Sequence, residues 1–134
     1  MNSEPSMITL IGPGVMAEAM ISGLLRKEIT TPERIIAAGP RRERGEELKQ
    51  RYGICPFTDN KAGVEQADVV ILSIKPQRMA KVLAGLEGAI PPNALVLSII
   101  AGATIQTISE GLKHPAVVRS MPNTAAQIDR KSVV

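Results

Sequence analysis

Gly12 and Gly14 flank a proline in the segment LIGPGVMAEAM (Leu10–Met20), and the small residue Ala17 follows three positions later. This is the G-x-G-x-x-G/A spacing. Its first glycine permits a tight turn, its second leaves room for a pyrophosphate against the backbone, and its third small position lets a helix pack closely on a strand. A helix starting there offers unpaired N–H groups and the positive end of its dipole to an anion. A strand-to-helix turn with no ligand could use the same residues, so the motif takes its meaning from what surrounds it.

Three further segments carry polar or constrained residues where an apolar run ends. The run RIIAA stops at Gly39, Pro40, Arg41 and Arg42. About 20 residues after such glycines, an acid would suit the ribose 2′-hydroxyl of NAD, whereas cations suit the 2′-phosphate of NADP. Glu33 precedes the run, no acid stands among Gly39–Arg42 at its end, and the guanidinium of an arginine matches phosphate in a bidentate fashion. Arg41 and Arg42 are therefore candidates for a 2′-phosphate, with a solvated start to a surface helix as the other reading. SIKPQ (Ser73–Gln77) ends a run in Lys75 and Pro76, and VRSMPNTAA (Val118–Ala126) ends another in Pro122, Asn123 and Thr124. Pro76 could equally begin a helix and Asn123 cap a turn.

The elements that must position these residues are legible from periodicity. MITLIG, RIIAAG, ADVVILSIKP, NALVLSIIAG and PAVVRSMP are short, Val- and Ile-rich and apolar along their length, as strands covered on both faces are. GICPF (Gly53–Phe57) is a weaker strand candidate. Between them lie helical segments. Met16, Met20 and Leu24, flanked by Ala17, Ile21 and Leu25, form an apolar stripe expected to face the core. RRERGEELKQRY is a mostly polar surface helix with Leu48 and Tyr52 as anchors, and NKAGVEQA, QRMAKVLAGLEG and TIQTISEGLK complete the series. Strand and helix in alternation imply an α/β fold: a doubly wound, mainly parallel sheet with helices on both faces, joined by right-handed crossovers.

Composition narrows the functions. The chain has 134 residues, enough for one domain, and with 44% apolar and only 1% aromatic residues its core must be aliphatic. The longest apolar run, Ala94–Ile105, is broken by Ser98 and Gly102 and falls short of the roughly 20 residues of a membrane-spanning helix. The N-terminus shows no secretory pattern, so a cytoplasmic protein without a membrane partner is expected. A net charge of +3 would tolerate a polyanion, yet one Tyr, one Phe and no Trp leave almost no platform for stacked bases, and no nucleic-acid partner is expected. Cys55 and His114 are the only residues of their kinds and cannot form a disulfide or the usual zinc set. Cys55 is expected to be a small buried apolar residue, and His114, between Lys113 and Pro115, a solvated turn position.

Taken together and in order, IGPGVMAEAM, DVVILSIKPQ, LSIIAGATI and VVRSMPNTAA resemble pyrroline-5-carboxylate reductase from about Ile8 to Ala126. The resemblance implies a Rossmann-type domain for NADP(H), with NAD(H) as the other carrier, and hydride transfer to 1-pyrroline-5-carboxylate to give proline. It assigns the pyrophosphate to Gly12, Pro13, Gly14, Val15 and Met16, the adenosine phosphate to Arg41 and Arg42, and the ribose neighbourhood to Asn60. Ile74, Lys75 and Pro76 would line the cofactor groove near Ala101 and Gly102, with weight on the backbone around Lys75 rather than its amine. Met121, Pro122 and Asn123 would meet the nicotinamide. No residue of the chain is assigned as catalytic, and no metal is implied.

Pro13 stands where the family has a small residue, Ala125 where it has a proline, and QIDRKSVV (127–134) departs from its pattern. The domain is thus read as 1–126 with a tail at 127–134. The family's helical C-terminal domain, which forms its homodimer or higher oligomer and supplies most substrate contacts, is expected to be absent. A stand-alone NADP-binding or regulatory module and a related β-hydroxyacid-type dehydrogenase are the competing readings.

Overall fold

Strand β1 (Ile8–Ile11) runs up the middle of the sheet and feeds helix α1 (Val15–Arg26), whose return leads through a 3-10 turn at Pro32–Arg34 into β2 (Ile35–Ala38). The computed structural model describes residues 6–119. Helix α2 (Arg42–Tyr52), β3 (Cys55–Phe57), α3 (Asn60–Val64) and β4 (Val69–Leu72) follow. A 3-10 turn at Pro76–Arg78 then leads into α4 (Met79–Leu86), and β5 (Leu95–Ser98), α5 (Ile105–Leu112) and β6 (Val117–Arg119) complete the described chain.

All six strands are parallel, in the order β3-β2-β1-β4-β5-β6. Ile11 at the end of β1 is level with Ala38 on one side and Leu72 on the other. From β1 the chain builds outward first to β2 and β3, then crosses back to β4 and continues the other way. That reversal leaves a crevice beyond the carboxyl ends of β1 and its two neighbours, where ligands of open α/β sheets bind.

Alternation along each strand sends side chains to two separate cores. Ile8 and Leu10 of β1 join Met20, Ile21 and Leu24 of α1 and Leu48 of α2, while Ile11 faces Val64 of α3, Leu83 of α4 and Ile108 of α5. Helices therefore cover both faces, as a sheet of continuous apolar strands requires. Thr9 is the polar exception in β1. Fully buried, it donates its hydroxyl to the Gly63 carbonyl of α3 at 2.6 Å, which removes the cost of burying it. The weaker candidate GICPF is the edge strand β3, and Pro56 sits in it because an edge tolerates a missing N–H.

Three expectations are corrected. Met16 is not part of the core stripe but 41% exposed, because the first turn of α1 projects past the end of β1. The stripe is Ala17, Met20, Ile21 and Leu24. Cys55 is only half-buried, since an edge strand has neighbours on one side alone. His114 is buried rather than solvated. Lys113 takes a left-handed conformation (φ 56°) at the C-cap of α5, which turns the next residue inward, and the His114 Nε2 lies 2.6 Å from the Ala94 carbonyl oxygen. Met121, Pro122, Asn123, Ala125 and the 127–134 tail lie outside the described residues.

Candidate functional site

The turn after β1 is held from three directions. The Gly12 N–H donates to the Ala38 carbonyl of β2 (3.0 Å), and the Gly14 N–H donates to the Gly12 carbonyl (2.8 Å). From the β4 side, the Ser73 hydroxyl oxygen lies 2.9 Å from the carbonyl oxygens of both Ile11 and Gly12, sharing its proton between them. From the α2 side, Arg44 donates through Nε to the Pro13 carbonyl (2.9 Å) and through Nη2 to the Gly14 carbonyl (3.1 Å).

The two glycines are required for different reasons. Gly12 has φ +88°, and a side chain there would bring its first carbon 2.5 Å from the Ile74 Cγ2, so both backbone and packing demand glycine. Gly14 has φ −99° as the N-cap of α1, a conformation open to any residue, and no atom stands within 4 Å of where its side chain would begin. Neither conformation nor protein packing explains it. Pro13, the departure from the family pattern, is buried, and its ring closes on Gly39, where an added carbon would lie 2.6 Å away.

Around this turn lies a cavity of about 410 Å³ at the crevice between β1, β2 and β4. Its walls include Gly12, Pro13 and Gly14, then Gly39, Pro40 and Arg41 after β2, Asn60 at the start of α3, and Ser73, Ile74, Lys75 and Arg78 after β4. Among the described residues three cations line it, Arg41, Lys75 and Arg78, and no carboxylate does, which favours an anion. The Asn60 Oδ1 is buried there without a hydrogen-bond partner, an acceptor that calls for a donor from outside the described protein atoms. A smaller cavity of about 140 Å³ adjoins it through Pro13, Gly39 and Arg41 and extends past Arg42 and Glu46 to Phe57 and Thr58 of the β3 edge.

Seven of the sequence candidates meet at one place: Gly12, Pro13, Gly14, Arg41, Asn60, Ile74 and Lys75 share the larger cavity. Arg42 faces only the smaller one, as the first residue of α2. Val15 is 86% exposed and Met16 is exposed too, both outside the cavity wall, and Pro76 opens the 3-10 turn. Ala101 and Gly102 stand exposed in the loop after β5, off the cavity. Glu33 lies before β2, at the opposite end of that strand, and the segment Gly39–Arg42 that follows the strand carries no acid, the next being Glu43 within α2.

Sequence reasoning missed Arg78, Ser73 and Arg44. Arg78 reaches the cavity because the turn opened by Pro76 places it one turn beyond Lys75. Arg44 is the third arginine of RRER, and only the packing of α2 beside α1 shows that it faces the glycine turn rather than solvent. It also pairs with Glu18 (2.8 Å) and Glu47 (2.7 Å), while Arg51 and the Tyr52 hydroxyl hold the other Glu18 oxygen. The Tyr52 hydrogen bond, with those of Arg51 and Arg44, holds the Glu18 carboxyl down at about 2. The same network raises Arg44, chiefly through Glu47, and Tyr52, chiefly through Glu18.

Comparison with known proteins places this arrangement. A family described as NADP oxidoreductase, coenzyme F420-dependent, matches residues 7–102. Pyrroline-5-carboxylate reductase of Synechocystis is 38% identical over 119 residues, 89% of this chain and 44% of its own length. Pyrroline-5-carboxylate reductase 2 of Bacillus subtilis is 42% identical over 127 residues, 93% of this chain and 45% of its own. The solved structure of the Coxiella burnetii enzyme superposes with a TM-score of 0.80 at 30% identity, over 87% of this chain and 43% of that one. The chain therefore spans somewhat under half the length of these relatives. It belongs to the NADP oxidoreductase, coenzyme F420-dependent, family, and its resemblance to pyrroline-5-carboxylate reductases extends over nearly all of its residues.

Proposed function

We propose that the chain is the cofactor-binding half of a pyrroline-5-carboxylate reductase and holds NADP(H) in the crevice beyond β1, β2 and β4. The observation that carries this reading is Gly14. It is a glycine that backbone and packing leave free, standing at a helix N-terminus beside a cavity lined by cations, where a pyrophosphate needs open backbone.

The residues present fit such a group. The N–H groups of Val15 and Met16 at the start of α1 would hold the pyrophosphate, and Gly12, Pro13 and Gly14 would shape the turn and leave it room. Arg41, with Arg42 in the adjoining cavity, would hold the 2′-phosphate, and the unpartnered Asn60 Oδ1 would accept from a ribose hydroxyl. Ile74, Lys75 and Pro76 would flank the groove at the end of β4, and the family resemblance would add Ala101 and Gly102, which stand off the cavity, and Met121, Pro122 and Asn123, which lie outside the described residues. When bound, the cofactor supplies a hydride to the imine carbon of 1-pyrroline-5-carboxylate. Preference for NADP(H) over NAD(H) rests on Arg41 and Arg42, and on the lack of an acid among Gly39–Arg42, at the end of β2.

Holding the imine carbon in line is worth roughly 7–11 kcal/mol of the barrier, and by family resemblance those contacts come from a helical domain that also forms the oligomer. We therefore assign the reaction to a protein containing both halves, working in the cytoplasm. The test is calorimetric titration of wild type and Gly14→Val with NADPH. Loss of at least about 100-fold in affinity is expected with the circular dichroism unchanged, since several charge-assisted hydrogen bonds of about 1.5–3 kcal/mol each are at stake. Retained affinity would reduce the turn to a structural one. In an assay following NADPH absorbance with pyrroline-5-carboxylate, residues 1–134 should turn over far more slowly than a full-length relative.

A further inference from the structure

We propose that Arg44 is the positioning residue of the glycine turn, serving NADPH and NADH alike. The inference rests on the dinucleotide reading of the cavity and assigns a role to a side chain that does not line it.

The guanidinium sits behind the turn with 14% of its side chain exposed. Its Nε and Nη2 take the carbonyls of two successive residues, Pro13 and Gly14. In a trans peptide the N–H points opposite to the C=O. The Gly14 carbonyl also accepts the Glu18 N–H of α1 (3.0 Å), whereas the Pro13 carbonyl is held by Arg44, and fixing the two carbonyls fixes the Gly14 and Val15 N–H groups, which point the opposite way in the same peptide planes. The Gly14 N–H closes the turn on the Gly12 carbonyl, and the Val15 N–H belongs to the first turn of α1, whose N–H groups have no partner within the helix.

Glu18 and Glu47 hold the guanidinium in place from α1 and α2. Glu18 also poses a problem that the same network removes. A carboxylate in the first turn of α1 would repel an anion approaching that helix end, and Arg44, Arg51 and Tyr52 together absorb its charge. Arginine suits the position because its planar fork reaches two carbonyls and two carboxylates at once, four acceptors against the three N–H donors of an ammonium.

Arg41 and Arg44, three residues apart, thus divide the work of the RRER run. Arg41 stands in the cavity and its effect depends on the 2′-phosphate. Arg44 shapes the backbone that both carriers would use.

The experiment measures backbone amide exchange by NMR in the ligand-free chain, and NADPH and NADH affinities by calorimetry well below the melting temperature, for wild type, Arg44→Met and Arg44→Lys. Both variants should expose the Gly14 amide to faster exchange and weaken both cofactors by about tenfold with their ratio kept. If Arg44→Met does not fold, Arg44→Lys carries the same comparison. Unchanged affinities in a folded variant, a loss confined to NADPH, or full affinity in Arg44→Lys overturns the proposal. If wild type binds neither nucleotide, the cofactor reading falls and exchange alone decides: unchanged Gly14 protection in the variants overturns the clamp.

Discussion

The turn after β1 and the loop after β5 both leave the carboxyl edge of the same sheet, yet they are built differently. The first is fastened by β2, by Ser73 after β4 and by Arg44 of α2, and it borders a cavity with three cations. In the second, Ile99 donates to the Leu72 carbonyl, and the bonds of Ile100 are local, to the Ser98 hydroxyl (3.2 Å) and from the Ala103 N–H (3.4 Å), while Ala101 and Gly102 stand exposed and no residue from 99 to 104 carries a charge. The difference teaches where the chain has invested its rigidity. A pyrophosphate is bound by backbone N–H groups that must be aimed beforehand, and aiming requires contacts from several elements at once.

Glycine substitutions should break this comparison most sharply. Gly12→Ala combines a left-handed backbone with a 2.5 Å approach to Ile74 and should cost about 3 kcal/mol in chemical denaturation. Gly102→Ala meets the same backbone strain (φ +77°) with no neighbour within 4 Å, so about 1 kcal/mol is expected. Equal costs would show that the tight packing of the first turn contributes nothing.

Charge sharpens the contrast next. Arg41→Ala should weaken NADPH roughly 10- to 150-fold and leave NADH nearly unchanged, because one charge-assisted contact to the 2′-phosphate is worth about 1.5–3 kcal/mol. Calorimetric titration with both nucleotides checks it, and equal losses would remove the phosphate from Arg41. Arg42→Ala, in the adjoining cavity alone, should have the smaller effect of the two.

The smallest expected effect concerns acid. The Glu18 carboxyl in the folded chain titrates at about 2, below its ordinary 4.5. Its contribution to stability is therefore complete above about 4.5 and is lost as pH falls from there toward 2. Glu18→Gln should lower stability by about 1 kcal/mol at pH 7, its partner Arg51 being half-exposed, and should flatten the acid limb so that the two denaturation curves converge near pH 2. A constant gap between the curves across that range would show that the ion-pair network does not carry the pH dependence.

Nearly all of the fold was legible because its signals are local. Continuous apolar runs mark buried parallel strands, and the glycine spacing marks the β1–α1 turn, so β1, β2, β4, β5 and the helices between them follow from periodicity alone. What escaped depends on neighbours distant in sequence. Nothing in KHP indicates that His114 turns inward to Ala94, 20 residues earlier, because a left-handed C-cap decides it. In GICPF only Pro56 signals an edge strand, and it is the strand order that leaves Cys55 with neighbours on one side.

The site divides in the same way. Residue types along the chain determined that a phosphate-sized approach is possible at Gly14 and that cations rather than an acid follow β2. Each of these is a property of a short segment whose conformation its own residues fix. Only the tertiary structure decided that Arg41, Asn60, Lys75 and Arg78 converge on one cavity, that Ala101 and Gly102 stand apart from it, and that of three neighbouring arginines it is Arg44 that grips the turn. The direction of a long, flexible cation is set by the oxygen atoms within its reach, and those come from α1 and the turn before it, about 30 residues away in the sequence.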